Sequence, residues 1–353
     1  MPALPVPITI SRPRGMGDSR FGTGAGVIPP VPFVVGEAML IQLVTLAVGL
    51  IVLAAGAEAL IRGAVRVARA LGVSPFVVGF TVIGFGTSAP ELVVSFSAAL
   101  GGSSEIALGN VVGSNIANVG LVLGAAAVVA PLAARMRLLK VEVPLVIGAS
   151  LLLWGLCRDG HLGRTDGAII LTGFAGLVAY MYRSARAEPP EVKEELGLAV
   201  ADKMRVWVAV LLVAVGLCGL VGGAHLMVTA AVELARHLGV SEWMIGLTVV
   251  AVGTSLPELS VSVAGALRGE ADIVLGNVAG SNLFNVLLIL GATAVVQPMG
   301  VPATARTVEL PVMTGFAVLL MLVVANGLRV HRWEGVLLLA AYVGFVAWQV
   351  AGA

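Results

Sequence analysis

Ten stretches of this sequence, near residues 38–61, 75–101, 105–130, 138–157, 166–182, 206–235, 241–267, 272–297, 308–327 and 334–351, are dominated by apolar side chains. Most approach the about 20 residues that a helix needs to cross the hydrocarbon core of a bilayer. Lipid offers no water to backbone N–H and C=O groups, so a spanning segment satisfies them internally, as a helix does. The composition agrees: 12% of the residues are charged and 58% are hydrophobic, against about 25% charged in soluble domains. An all-α membrane protein with ten transmembrane helices is expected, with the lipid bilayer as its first partner. The formal net charge of +1 gives no hint of a nucleic-acid partner.

Two segments depart from this pattern. Residues 1–35 are rich in Pro and Gly, carry Arg12, Arg14 and Arg20, and have no apolar core closed by a small-residue cleavage site. They read as a disordered tail rather than a signal peptide. Residues 183–205 mix five acidic with five basic side chains around Pro189 and Pro190, the composition of a solvated linker. The membrane-embedded parts are then 36–182 and 206–353. Cys157 and Cys218 both sit in apolar runs and form no metal-ligand or disulfide pattern.

The two parts are copies of each other. GFGTSAPEL from residue 84 recurs as AVGTSLPEL from residue 251, and LGNVVGSNIAN from 108 recurs as LGNVAGSNLFN from 275, both at an offset of 167. The same offset relates Pro131 to Pro298, Glu142 to Glu309 and Pro144 to Pro311, and a one-residue shift relates Arg164 to Arg332. Five spans per copy is an odd number, so the second copy enters the membrane from the opposite side. Two inverted-topology five-helix repeats are a common transporter architecture.

Chemistry concentrates in the repeated blocks. Glu91 and Glu258 lie inside the second span of each half, where a carboxylate is costly and functional by default. Thr87, Ser88 and Glu91 share one helical face, as do Thr254, Ser255 and Glu258. Pro90 and Pro257 lack an N–H and clash with the carbonyl four residues back, which should free backbone oxygens around these breaks. In the third spans, Asn110, Ser114 and Asn118 form one stripe, repeated by Asn277, Ser281 and Asn285. Ser114, Asn118, Ser281 and Asn285 read as lining a site; Asn110, Asn277, Asn115 and Asn282 read as interhelical hydrogen bonds. Such a site is all oxygen, which suits a hard cation such as calcium and not zinc or copper. Two carboxylates balance one divalent ion, and burying them without a cation favours a bound proton. Glu142 and Glu309 read as ion-paired with nearby Lys140 and Arg306, and Glu58, whose repeat partner is His225, as a packing or loop contact.

The paired blocks GTSAPEL with GNVVGSNIAN, and GTSLPEL with GNVAGSNLFN, resemble the alpha-repeats of the sodium/calcium exchanger family, in its compact prokaryotic form. Two copies of both blocks in register are far more specific than one short motif. The resemblance implies an antiporter that exchanges Na+ for Ca2+ by alternating access, with no cofactor and no enzymatic activity. It carries over Glu91 and Glu258 as shared carboxylates, and Thr87, Ser88, Ser114, Asn118, Thr254, Ser255, Ser281 and Asn285 as ion-site residues. The first and sixth helices, here 38–61 and 206–235, would slide across the rest as a gate. Asn285 stands where some members, including the potassium-dependent branch, carry Asp. That argues against potassium transport and leaves two site carboxylates, at which three sodium ions would retain a net positive charge.

The rival within the fold is a proton-coupled antiporter of calcium or another divalent ion, although proton-coupled relatives carry extra carboxylates where this chain has Ser and Asn. The rival from another class, an intramembrane hydrolase using Ser88 or Ser255, lacks a histidine base in either block. Lys and Arg fall 14 on one set of loops and 7 on the other, tail included. The richer side is expected to be cytoplasmic, which places both termini outside a prokaryotic plasma membrane; calcium extrusion driven by the inward sodium gradient is the expected direction.

Overall fold

The apolar runs fold as helices throughout the computed structural model, which describes residues 32–186, 204–238 and 251–352. Nearly all of the expected tail, most of the 183–205 linker and the first residues of the 241–267 stretch lie outside the described residues. In chain order the helices are α1 (Pro32–Leu71), α2 (Pro75–Thr87), α3 (Ala89–Leu100), α4 (Ser104–Val129), α5 (Leu138–Asp159), α6 (Arg164–Arg186), α7 (Val206–His237), α8 (Leu256–Leu267), α9 (Ala271–Val296), α10 (Ala305–Ala325) and α11 (Arg332–Gly352). A single turn, Ala251–Thr254, precedes α8. Among the described residues eight helices are each long and apolar enough to cross a membrane, and α2 with α3, bent by 41°, make a ninth.

The bend falls where the sequence places a proline. Ser88 leaves helical geometry (φ −80°, ψ 6°) between α2 and α3, and Ser255 does the same (φ −87°, ψ 4°) ahead of α8. Pro90 and Pro257 occupy the first turn of the helices that follow, where a missing N–H costs no hydrogen bond. Each break therefore opens immediately before a glutamate.

Helices α4 and α9 are the enclosed centre of the molecule, while α1, α7 and α11 turn most of their surface outward. Leu40, Ile41, Val44 and Ile51 are examples of the exposed apolar side chains on α1, as lipid contact requires. Close approach at the centre depends on glycine. A Cβ on Gly276 of α9 would stand 2.6 Å from the Phe76 carbonyl oxygen of α2. Helices α1 and α7 pack side by side and antiparallel. Gly56 meets Gly216 and Leu220, Gly49 meets Gly223 and Met227, and Gly63 meets Ala209 and Val213.

Contacts repeat with the sequence offset. Two short strand pairs, β1 (Leu132–Ala133) with β4 (Arg329–Val330) and β2 (His161–Leu162) with β3 (Met299–Gly300), are antiparallel. Leu132 lies opposite Val330, and Met299, 167 residues on from Leu132, lies opposite Leu162. Each pair therefore joins one half to the other. Among the described residues five π-helical turns also occur, at Gly79–Ile83, Asn118–Leu123, Leu138–Glu142, Phe284–Leu290 and Ala305–Glu309. The last four are two repeat-related pairs.

Candidate ion site

Glu91 lies in the first turn of α3 and Glu258 in the first turn of α8, and each residue is 1% exposed. They stand near enough to feel each other's charge. Among the described residues no Lys, Arg or His pairs with either carboxylate. What surrounds them is hydroxyl and amide. Ser88 Oγ donates to Glu258 Oε1 at 3.2 Å, and Ser114 Oγ donates to Glu91 Oε1 at 3.4 Å. Thr87 and Ser281 lie beside Glu258, and Thr254 lies beside Glu91. The second oxygen of each glutamate is buried without a hydrogen-bond partner among the described residues, as are Ser255 Oγ and both amide atoms of Asn118.

The structure brings seven of the ten expected residues, Thr87, Ser88, Glu91, Ser114, Thr254, Glu258 and Ser281, into contact around the two glutamates, whereas Asn118, Ser255 and Asn285 make no hydrogen bond to either carboxylate among the described residues. Nine of the ten are buried and Thr254 is half-buried. The structure changes their pairing, however. Thr87 and Ser88 were expected on the same face as Glu91, but the helix breaks at Ser88 and turns them toward Glu258, in the other half. The exchange is reciprocal, since Thr254 meets Glu91. The two halves build one site together.

The third spans hold this arrangement in place. Asn110 Nδ2 donates to Ser95 Oγ at 2.9 Å, and Asn277 Nδ2 donates to Ser262 Oγ at 3.2 Å, the same bond at an offset of 167. Asn110 also donates to the Glu91 carbonyl at 3.3 Å. These are the interhelical bonds expected of Asn110 and Asn277. Asn277 also accepts from Thr87 Oγ1 at 3.2 Å, so it touches the site. Ser281 Oγ donates to the Gly84 carbonyl at 3.3 Å, binding α9 to α2 just ahead of the break. Ser95 and Ser262 were not singled out in the sequence, although their own offset of 167 marks them.

Two carboxylates outside the site, Glu142 and Glu309, have partners other than those expected, while Glu58 makes the kind of packing and loop contact expected of it. Glu142 pairs with Arg137 at 2.8 Å, not with Lys140. The turn between them is π-helical, and in that geometry residues five apart share a face. Glu309 meets Gln349 rather than Arg306. Glu58 bridges Arg62 at 2.6 Å on its own helix and Arg268 at the end of α8, whose Nε donates to Glu58 Oε2 at 2.7 Å.

Comparison with known proteins places this arrangement. The model of the family described as sodium/calcium exchanger protein matches residues 41–183 and again 208–351. The chain belongs to the sodium/calcium exchanger family. It is similar to the inner membrane protein YrbG of Escherichia coli (33% identity, covering 88% of this chain and 96% of the relative). It is also similar to the sodium/calcium exchanger MaX1 of Methanosarcina acetivorans (30% identity, 87% and 97%). The solved structure of the sodium-calcium exchanger NCX_Mj, soaked with Na+ and Sr2+, superposes with a TM-score of 0.77 at 32% identity, covering 88% of this chain and 98% of that one. As a sodium/calcium exchanger the protein is an integral membrane antiporter and not an enzyme.

Proposed function

We propose that Glu91 and Glu258 bind the transported ions between the two halves of the exchanger. Thr87, Ser88, Ser114, Asn118, Thr254, Ser255, Ser281 and Asn285 complete the oxygen shell. The observation that carries this reading is the pair of buried glutamates with no basic partner and with one unpartnered oxygen each. Unpaired buried charge costs several kcal/mol per ion, and a cation is what offsets it. Calcium takes six to eight oxygens, and two carboxylates neutralise it. Sodium ions compete for the same oxygens, so occupancy by one excludes the other. Exchange follows if each loaded form, and not the empty one, passes between outward and inward access. Neither cofactor nor enzymatic chemistry has a part in it.

The topology we propose is ten spans in two inverted five-helix repeats, 36–182 and 206–353. The strand pairs and polar contacts support it. They join the 132–137 loop to 329–332, Arg135 to Asp272 at 3.2 Å, Glu58 to Arg268, and Arg66 to the Met204 carbonyl at 2.8 Å. On the other face, 161–162 joins 299–300 and Arg306 reaches the Arg158 carbonyl at 3.2 Å. Every contact pairs loops on the same side of the lysine and arginine division. Antiparallel to α1, α7 ends on the face opposite Arg268, so the chain recrosses before Arg268, which makes the tenth crossing. In this reading the Arg-rich face is cytoplasmic, both termini are outside, and calcium leaves the cell as sodium enters down its gradient.

Purified protein in sealed vesicles, loaded with sodium and diluted into sodium-free buffer, tests the reading by calcium uptake. Uptake should follow the sodium gradient and vanish in Glu91→Gln and Glu258→Gln. Uptake driven by a pH gradient alone would replace sodium with protons, and wild-type rates in either variant would remove that glutamate from the site.

A further inference from the structure

Asn115 follows Ser114 on α4 and is 4% exposed. Its Nδ2 donates to the backbone carbonyl of Asn282 on α9 at 3.2 Å and approaches Met313 Sδ at 3.7 Å. A backbone carbonyl only accepts, so this end of the amide has to be the nitrogen. Oδ1 is then fixed at the other end, where it accepts from Asn285 Nδ2 at 3.1 Å. Asn285 must turn its nitrogen to Asn115 and carry its oxygen on the opposite side. That Oδ1 is buried and has no hydrogen-bond partner among the described residues. Both amide orientations thus follow from one anchoring carbonyl, which settles the oxygen-against-nitrogen choice that an isolated amide leaves open.

We infer that Asn115 is a positioning residue: from the first half it locks the amide of Asn285 in the second half, so that oxygen and not N–H is left for the ion. An amide oxygen coordinates a hard cation, whereas an N–H turned toward it repels. The lock is one-sided. Asn118, the repeat counterpart of Asn285, and Asn282, the counterpart of Asn115, have both side-chain amide atoms unpartnered among the described residues. One site amide is therefore set in advance and the other is free to turn. The inference rests on the proposed place of Asn285 in the ion site.

The test is the calcium KM of sodium-driven uptake for Asn115→Ala and Asn115→Leu, each made alone and together with Asn285→Asp. Leucine keeps the volume beside Met313 while removing both amide groups, so it tests the lock if the alanine variant folds poorly. Each single variant should raise KM about tenfold with the maximal rate held within about twofold, the signature of lost ion binding. Combined with Asn285→Asp, the effect should disappear, because a carboxylate presents an oxygen whichever way it turns. An unchanged KM, or an equal rise in both backgrounds as a packing defect would give, overturns the inference. Asn285→Ala is measured alongside. If that variant leaves KM unchanged, the place of Asn285 in the site fails; if it raises KM while the Asn115 variants do not, only the lock fails.

Discussion

Each glutamate of the site is served by hydroxyls from both halves, and single hydroxyls therefore separate ion binding from helix packing. Ser88 donates to Glu258 at 3.2 Å, and a hydrogen bond to a charged group contributes about 1.5–3 kcal/mol. Ser88→Ala should raise the calcium KM by about tenfold or more, measured as initial uptake rate against calcium concentration. Ser95 only accepts from Asn110. Ser95→Ala should lower thermal stability by about 1 kcal/mol, read as a shift in the melting midpoint in detergent, and leave KM within about twofold of wild type. Glu91, Glu258 and the flanking Thr and Ser stand out in the sequence because both blocks recur at one offset. Which hydroxyl serves which glutamate was not legible. Spacing along a helix describes neighbours within one half, and the break at Ser88 hands Thr87 and Ser88 to the other. The partner of Glu142 was missed for a related reason, since a π-helical turn moves the shared face from four residues to five and substitutes Arg137 for Lys140.

At the scale of elements, the packing of α1 on α7 shows what glycines at a helix–helix contact are for. A Cβ on Gly216 would stand 2.6 Å from the Leu60 backbone nitrogen, and one on Gly56 would stand 2.8 Å from the Leu220 nitrogen. Backbone cannot yield as a side-chain tip can. Gly216→Val should force the pair apart and cost about 1–3 kcal/mol by overpacking, seen as a lower melting midpoint together with reduced uptake. Small residues at membrane helix interfaces are a general device, and here they let two backbones meet. The partner of each did not follow from the sequence, because several helices offered equally small faces. The spans themselves were legible from hydropathy alone, and the enclosure of α4 and α9 was foreshadowed by the Asn and Ser they carry. Their π-helical turns, beginning at Asn118 and at Phe284 beside Asn285, left no trace in composition or period.

For the whole molecule, the strand pairs constrain topology more tightly than hydropathy does. Because β1 meets β4 and β2 meets β3, residues 158 and 306 must share one face of the membrane and residues 135 and 329 the other. Five spans in each half and opposite entry of the second half make this possible; with an even number β1 and β4, and likewise β2 and β3, would lie on opposite faces and could not pair. The sense we propose from the lysine and arginine division puts the 135 and 329 face inside. Single cysteines test both statements in a Cys218→Ser background, since Cys157 is buried and Cys218 is exposed. Arg158→Cys and Arg306→Cys should react with a membrane-impermeant thiol reagent added to intact cells. Arg135→Cys and Arg329→Cys should react only after the membrane is opened. The reverse pattern would keep the inverted repeat and flip the protein, making the positive-inside division the part that misled. Equal labelling of Arg158→Cys and Arg329→Cys from one side would break the topology itself, because no bilayer can then separate the two strand pairs.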